Sequence, residues 1–135
     1  MILLDTTFLV DLLRKDDSAL KWLDSSEEEP LYTSEINTFE LYTGLYRIST
    51  SSQDKIQKRT EELEQVLARM EILPFERSAS LESARILADL LNRGSPIGTR
   101  DVMIAGTALS KGIKRVLTRN TKHFDRIPTI SPESY

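Results

Sequence analysis

Short strand-like runs alternate with longer amphipathic segments along this chain, and that alternation limits the folds open to it. The strand-like runs lie at residues 2–4, 31–34, 72–73, 115–118 and 127–130. The segments between them carry apolar residues at helical spacing and predict helices near residues 6–13, 16–24, 38–45, 54–71, 80–92 and 101–111. Strands alternating with helices are typical of a mainly parallel sheet covered on both faces. We therefore expect a three-layer α/β/α fold formed by a single domain, residues 1–135.

The ends and faces of several helices can also be predicted. Hydroxyl and amide side chains favour the position that precedes a helix, so Thr6 or Thr7 is expected to cap the first helix and Asn37 or Thr38 the third. Gly94 is expected to end the helix at residues 80–92. Apolar spacing predicts that one face of this helix is buried, with inward side chains at Leu81, Ala84, Leu87, Ala88 and Leu91.

The distribution of charge is more informative than the total. The chain carries a net charge of −3, which provides no bulk attraction to nucleic acid. Residues 99–126, however, contain seven Lys or Arg against two Asp. The chain has no cysteine, so disulfides and thiolate metal sites are excluded. No apolar stretch is long enough to span a bilayer and no leader-like segment precedes the first strand, so we expect a cytoplasmic protein.

Three acidic residues lie where strand-like runs give way to helices. Asp5 follows the run at residues 2–4, Glu40 lies after the second strand, and Asp101 opens a later helix. In open α/β sheets, ligands bind outside the carboxyl ends of the strands. Acids gathered there would repel one another, and a hard divalent cation would relieve the repulsion. The pattern therefore predicts a metal-dependent enzyme with a Mg²⁺ or Mn²⁺ site at Asp5, Glu40 and Asp101.

Each acid also has a structural explanation that needs no metal. Asp5 and Asp101 lie at helix starts, where the helix dipole favours a negative charge. Glu40 could be a solvated helix carboxylate, and Glu35 is equally near the end of its strand. Taken singly, none of these positions would indicate a metal site.

Four motifs in order resemble those of PIN-domain ribonucleases of the VapC toxin type over nearly the whole chain. The opening motif is Ile2-Leu3-Leu4-Asp5-Thr6-Thr7-Phe8-Leu9-Val10-Asp11-Leu12-Leu13. The second is Ser34-x-Ile36 followed by Phe39-Glu40-Leu41-x-x-Gly44, and the third is Asp101-x-x-Ile104-Ala105-x-x-Ala108-Leu109. The closing motif is Leu117-Thr118-Arg119-Asn120-x-x-His123-Phe124-x-x-Ile127-Pro128. One such block would be common, but four at family-like spacing are specific.

The resemblance implies a fold, an activity and partners. It implies a PIN-like fold and an endoribonuclease that hydrolyses RNA phosphodiester bonds with Mg²⁺, or Mn²⁺ in its place, held by Asp5, Glu40 and Asp101. It further implies the toxin of a VapBC-type pair, which inhibits translation until a VapB-like antitoxin binds it. A homodimer is also implied.

The closing motif departs from the family pattern. Many relatives carry a fourth acid near Asn120 or at the His123 position, and neither residue is acidic here. Asn120 is the candidate that replaces this acid in the catalytic set. Thr6, Thr118 and His123 are candidates for supporting contacts around the metal, although helix capping explains Thr6 and a surface turn explains His123 equally well.

Other positions have simpler expected roles. Asp11 is expected to be solvated or paired with Arg14, and both Gly44 and Gly106 to allow close helix packing. Tyr42 and its neighbours Phe39, Leu45 and Tyr46 suit either an association surface or a buried stripe. The candidates for contacts to the RNA backbone are basic residues of the positive segment: Arg100, Arg119 and Lys122.

Two other classes of function remain open from the sequence. The first is a catalytically weak or inactive PIN-like module that binds RNA or protein and lost turnover with its fourth acid. The second is a different α/β enzyme, such as a phosphotransferase with an aspartyl nucleophile. Asp5-Thr6-Thr7 argues against the second, because such enzymes commonly carry another Asp two residues on, and no Gly-rich phosphate loop is present.

Overall fold

The computed structural model describes residues 1–48 and 52–135. Within these ranges the strands are β1 (Ile2–Leu4), β2 (Leu31–Ser34), β3 (Glu71–Leu73), β4 (Arg115–Leu117) and β5 (Ser131–Glu133). The helices are α1 (Thr6–Leu13), α2 (Asp17–Asp24), α3 (Glu35–Tyr46), α4 (Gln53–Leu67), α5 (Arg77–Asn92), α6 (Thr99–Ser110) and α7 (Thr121–Phe124). None of these helices has the length and apolar character needed to cross a membrane.

The strands form one parallel sheet in the order β3-β2-β1-β4-β5, which confirms the predicted α/β class. The first strand is therefore central, with Leu3 opposite Tyr32 of β2 and opposite Val116 of β4. Side chains of β1 alternate between two apolar cores, one on each face of the sheet. Leu3 enters the core built with α5 and α6, while Ile2 and Leu4 enter the core built with α1, α3 and α4.

Two helix caps differ from the predicted ones because each helix begins earlier than expected. Asp5 itself precedes α1, so Thr6 lies in the first turn rather than before it. Ser34 precedes α3, where its hydroxyl accepts a hydrogen bond from the Asn37 backbone N–H at 3.2 Å. The Asn37 side chain accepts a bond from the Ser34 backbone N–H at 3.1 Å in return, forming a capping box.

The predicted inward face of α5 is wrong at four of its five positions, while Leu87 is partly buried against the core as expected. Leu81 is 48% exposed and Leu91 is 60% exposed, and Ala84 and Ala88 are also exposed. The buried positions are instead Ala79, Ser83, Ile86 and Leu90. The cause is the partner helix: α6 approaches α5 so closely at Gly106 that only a small residue such as Ser83 fits opposite it. Glycines in the left-handed region follow α5 and α6, at Gly94 (φ +65) and Gly112 (φ +73), and Gly94 ends its helix as predicted.

The last strand also differs from prediction. Residues 127–130 contain buried Ile127 and Ile130 but form no strand, and the chain pairs with β4 only from Ser131. These two isoleucines pack into the core beside Phe124 instead. Their apolar character therefore reflects burial in a turn rather than a place in the sheet.

Candidate active site at the carboxyl edge of the sheet

The three predicted acids come from three separate segments near the carboxyl edge of the sheet. Asp5 lies between β1 and α1 and is 2% exposed. Glu40 lies on α3, with its side chain 20% exposed, and Asp101 lies in the first turn of α6, with its side chain 19% exposed. The fold therefore brings together carboxylates that are far apart in sequence.

Asp5 is a buried carboxylate whose hydrogen-bond partners are all uncharged. Its Oδ2 accepts from the Thr118 hydroxyl at 2.7 Å and from the Thr7 hydroxyl at 3.2 Å. Its Oδ1 accepts from the Asn37 side-chain amide at 3.2 Å. Burial raises the pKa of Asp5 above its ordinary value, the Thr118 hydrogen bond offsets part of the rise, and the negative charge of Asp101 adds to it. The charged form of Asp5 is thus held at a cost that a nearby cation would reduce.

Glu40 is held by one hydroxyl and one distant guanidinium. The Thr6 hydroxyl donates to Glu40 Oε1 at 2.8 Å, and Arg100 Nε lies 3.5 Å from Oε2. Burial raises the pKa of Glu40, and the charges of Asp5 and Asp101 raise it further, against the hydrogen bond from Thr6 and the charge of Arg100. The two acids that stand above their ordinary pKa therefore repel each other, and Asp101 repels both.

Asp101 pairs with the single histidine of the chain. His123 Nδ1 lies 3.0 Å from Asp101 Oδ2, and both side chains are partly exposed. The sequence left His123 as a surface turn residue or a supporting contact, and the structure places it on one of the three predicted acids. Two of the three carboxylates are thus occupied by basic side chains, Arg100 and His123.

The donor set suits a hard divalent cation in its chemistry but is not assembled around one. Carboxylates, hydroxyls and an amide are oxygen donors of the kind that Mg²⁺ and Mn²⁺ prefer. Their mutual repulsion is what a dication would relieve. In the described part of the chain, however, no group of three or more His, Asp or Glu side chains is arranged to hold a metal ion. Glu40 and Asp101 would have to leave Arg100 and His123 to join Asp5.

The closing motif supports the site mainly through Thr118. This residue is fully buried, and its hydroxyl donates to Asp5 while accepting from the Asn120 backbone N–H at 2.9 Å. Asn120 itself is exposed and reaches the cluster through that backbone group. Two closing-motif side chains therefore contact an acid of the site directly: Thr118 contacts Asp5 and His123 contacts Asp101.

Two residues of the site were missed by the sequence reasoning. Asn37 donates to Asp5 and also to the Thr6 hydroxyl at 3.0 Å, which links the supports of Asp5 and Glu40. Thr7 contacts Asp5 and lies 3.3 Å from the Thr118 hydroxyl. The spacing Ser34-x-x-Asn37 is a capping-box pattern that fixes the Asn37 side chain and could have drawn attention to it.

The predicted RNA contacts have mixed surroundings. Arg100 faces Glu40, and Arg119 forms an ion pair with Asp11 rather than remaining free. The expected pairing of Asp11 with Arg14 is replaced by this contact. Lys122 is exposed on α7. Glu35, the competing acid near the second strand, is exposed and accepts a hydrogen bond from Thr38, away from Asp5.

Comparisons with known proteins agree with this architecture. The family model described as PIN domain matches residues 2–130. The chain is 36% identical to VapC ribonuclease Y4jK of Sinorhizobium fredii over 93% of this chain and 91% of that protein. It is 34% identical to Ribonuclease VapC1 of Rickettsia felis over 93% of this chain and 90% of that protein.

Solved structures give the same result. A chain in the crystal structure of FitAcB from Neisseria gonorrhoeae superposes with a TM-score of 0.86 at 31% identity, covering 98% of this chain and 96% of that one. A chain of VapBC2 from Rickettsia felis, bound to a promoter DNA fragment, superposes with a TM-score of 0.84 at 27% identity, covering 100% of this chain and 99% of that one. The chain therefore belongs to the PIN-domain family, among its VapC-type members.

Proposed function

We propose that this protein is a metal-dependent endoribonuclease that hydrolyses RNA phosphodiester bonds. The observation that carries the proposal is Asp5, a buried carboxylate with uncharged partners, repelled by Asp101 at the edge of the sheet. A buried charge without a counter-ion is costly, so its retention suggests a bound cation. The relatives named as ribonucleases supply the reaction class.

Asp5, Glu40 and Asp101 are the residues that would hold Mg²⁺ or Mn²⁺. Such an ion, when bound, supplies positive charge that polarises a phosphoryl oxygen and makes a water molecule more acidic. The chain contributes orientation: Thr118 and Asn37 fix the two oxygens of Asp5, and Thr6 fixes one oxygen of Glu40. Asn120, which follows this hydroxyl network on an exposed turn, stays our candidate for a polar contact to the reacting water.

Basic side chains near the acids would hold the RNA backbone. Arg100 and Lys122 are exposed and lie on α6 and α7, the helices that carry Asp101 and His123. Arg100 Nε is 3.5 Å from Glu40 Oε2, and the guanidinium has further N–H groups that would be available to a phosphate. His123, 3.0 Å from Asp101 through Nδ1, would offer its other ring nitrogen to the RNA.

The test compares two carboxylates at strand ends: Asp5, which follows β1, and Glu35, which follows β2. Purified wild type, Asp5→Asn and Glu35→Gln are incubated with cellular RNA and Mg²⁺, and the new RNA ends are sequenced. Wild type and Glu35→Gln should cut at the same positions, whereas Asp5→Asn and EDTA-treated wild type should not. Equal cleavage by Asp5→Asn, or cleavage that resists EDTA, would contradict the proposal.

We further propose that the protein is the toxin of a VapBC-type pair in the cytoplasm and that its activity inhibits translation. Structures named as VapBC complexes of Rickettsia felis and Salmonella typhimurium are among those it resembles.

A groove of about 750 Å³ between α1, α3 and α4 includes Glu40 in its lining and is the site we propose for a VapB-like antitoxin. Its lining combines apolar side chains with four basic residues and two acids: Arg14, Lys55, Lys58, Arg59, Glu40 and Glu62. Co-expression with the antitoxin should restore growth and protect the cut RNAs.

A homodimer is proposed from the exposed stripe on α5. Leu81, Ala84, Ala88 and Leu91 form a large-small-small-large pattern that is the same read from either end. Two copies packed antiparallel would place each leucine against its counterpart and let the alanines approach closely, as a two-fold interface requires. Light scattering should give twice the chain mass for wild type and a lower mass for Leu91→Glu; a monomeric wild type would contradict this assignment.

A catalytically weak or inactive binding module is the second candidate, and one observation favours it. The acids are not assembled as metal ligands in the described residues, and Asn120 stands where relatives carry an acid. Calorimetry with Mn²⁺ separates the candidates, because the enzyme must bind the ion through Asp5 and a module need not. Saturable binding by wild type and its loss in Asp5→Asn support the enzyme.

A further inference from the structure

A network of three side chains, Arg119, Asp11 and Tyr135, joins the closing motif to the second turn of α1. Arg119 Nε donates to Asp11 Oδ2 at 3.1 Å, and a second guanidinium N–H donates to Asp11 Oδ1. The Tyr135 hydroxyl donates to the same Asp11 Oδ2 at 2.5 Å. The pairing is therefore bidentate, the geometry in which an arginine holds a carboxylate most firmly.

Asp11 and Tyr135 are themselves held by packing, so they restrict the movement of the Arg119 side chain. The Asp11 side chain is only 14% exposed, although Arg119 is 56% exposed. The Tyr135 ring packs edge-on against Phe8, with ring centroids 4.9 Å apart, and Phe8 is fully buried. The hydrogen bonds from Arg119 and Tyr135 lower the pKa of Asp11, so the carboxylate is charged at neutral pH.

The same segment contacts the acid cluster on its other side. The Arg119 backbone N–H donates to the Thr7 hydroxyl at 2.9 Å, and the Asn120 backbone N–H donates to the Thr118 hydroxyl. Thr7 and Thr118 both donate to Asp5 Oδ2. Residues 118–120 therefore contact α1 at two successive turns. The first contact is with Thr7, beside the acids, and the second is with Asp11, one turn further along.

We infer that Arg119 is a positioning residue: its pairing with Asp11 and Tyr135 holds the Thr118 hydroxyl on Asp5 and so orients that carboxylate. The inference rests on the proposed function, in which Asp5 is a metal ligand. It gives Arg119 a different role from the RNA contact expected from the sequence. The pair with Asp11 uses two of the five N–H groups of the guanidinium, so a phosphate contact is a separate role that needs its own test.

A second ion pair in the same sheet provides a matched control. Arg115 on β4 donates to both oxygens of Glu133 on β5, and Arg115 is similarly exposed, at 41%. This pair also ties the last strand to the rest of the sheet. The Glu133 backbone carbonyl accepts from the Thr118 backbone N–H at 2.9 Å, and Glu133→Gln keeps that bond, while the paired side chains make no hydrogen bond to Thr7, Thr118 or Asp5 in the described structure. Loss of the Arg115–Glu133 pair tests general stability alone.

The first measurement is amide hydrogen exchange by NMR in the full, metal-free chain. Arg119→Gln and Asp11→Asn should speed exchange at the amides of residues 119 and 120 by about tenfold, equivalent to losing one charged hydrogen bond. Glu133→Gln should leave both amides at the wild-type rate. Unchanged exchange in Arg119→Gln, or equal acceleration in Glu133→Gln, overturns the inference.

The second measurement separates positioning from RNA contact. A positioning role predicts that Arg119→Gln lowers kcat while KM and its salt dependence stay at wild-type values. A phosphate contact predicts a raised KM and a shallower salt dependence, and that result overturns the inference. If wild type cleaves no RNA, the proposed function fails, yet the exchange measurement still decides whether Arg119 orders the segment.

Milder variants cover the case in which Arg119→Gln does not fold. Arg119→Lys keeps the charge but cannot reach both carboxylate oxygens with a planar fork, and Tyr135→Phe removes one hydroxyl. Each should accelerate exchange at residues 119 and 120 less than Arg119→Gln does, and more than Glu133→Gln. Wild-type exchange in both variants overturns the inference.

Discussion

The close approach of α5 and α6 at Gly106 predicts that a single methyl group will destabilise the fold. A Cβ at Gly106 would lie 2.0 Å from Ser83 Oγ, 2.7 Å from Ser83 N and 2.9 Å from Ser83 Cα. The hydroxyl could rotate away, but the two backbone atoms could move only with the whole helix. Gly106→Ala must therefore push α6 away from α5, in a core where gaps and overlaps are both costly.

The expected size of the effect follows from two opposing contributions. Overpacking of this kind costs about 1–3 kcal/mol, and replacing a helical glycine by alanine returns up to about 1 kcal/mol. We expect a net loss of about 1–2 kcal/mol, which for a chain of 135 residues lowers Tm by roughly 3–7 °C. Urea unfolding measures the free energy directly, and the slope of the transition shows whether the two-state assumption holds.

Gly44→Ala is the matched control for this experiment. Gly44 also lies inside a helix, but a Cβ there would meet no atom of the described residues within 4 Å beyond its own helix backbone, contrary to the close packing expected from the sequence. This variant should gain about 0.5–1 kcal/mol. Gly106→Ala should also weaken cleavage because it displaces the helix that carries Asp101, whereas Gly44→Ala, on the helix that carries Glu40, displaces nothing and should leave cleavage unchanged. A Gly106→Ala protein at least as stable as wild type would refute the reasoning.

Three further predictions concern the site and its supports. Asp11→Asn should destabilise the protein more at pH 7 than at pH 3: the pKa of Asp11 lies below its ordinary 3.8 because of the Arg119 hydrogen bond, so its contribution is fully present above 3.8 and is lost progressively as the pH falls through the folded-state pKa. Urea unfolding at both pH values checks this, and a pH-independent difference would contradict it. Ser34→Ala removes the capping hydroxyl that holds Asn37 and should cost about 0.5–2 kcal/mol by the same assay, with no loss refuting the capping role. Mn²⁺ at 100 times its Kd should stabilise wild type by about 2.7 kcal/mol and leave Asp5→Asn unchanged in a thermal melt; equal stabilisation of both would place the ion elsewhere.

Much of the architecture was predictable because it depends on local patterns. The run Ile2-Leu3-Leu4 followed by Asp5 specifies a buried strand and an acid at its carboxyl end, wherever that strand lies in the sheet. The rule that parallel strands share their carboxyl edge then brings Glu40, which follows β2, near it, whereas Asp101 follows α5 and was placed by the resemblance of its motif. Neither step requires knowledge of which strands are neighbours.

The supports of Asp5 could not be predicted because they depend on strand order. Asn37 and Thr118 reach Asp5 only because β1 lies between β2 and β4, a fact that no local pattern contains. The inward face of α5 failed for a related reason. Its predicted face was chosen from apolar side chains alone, whereas the close approach at Gly106 buries the small polar Ser83.

The central position of β1 has a consequence for synthesis of the protein. Residues 2–4 are made before the other four strands, and β4, which completes one side of β1, comes more than a hundred residues later. A nascent chain that lacks β4 has Asp5 without Thr118, so the polar centre is incomplete while translation continues. The centre is therefore completed only after β4 and the turn that follows it have been made.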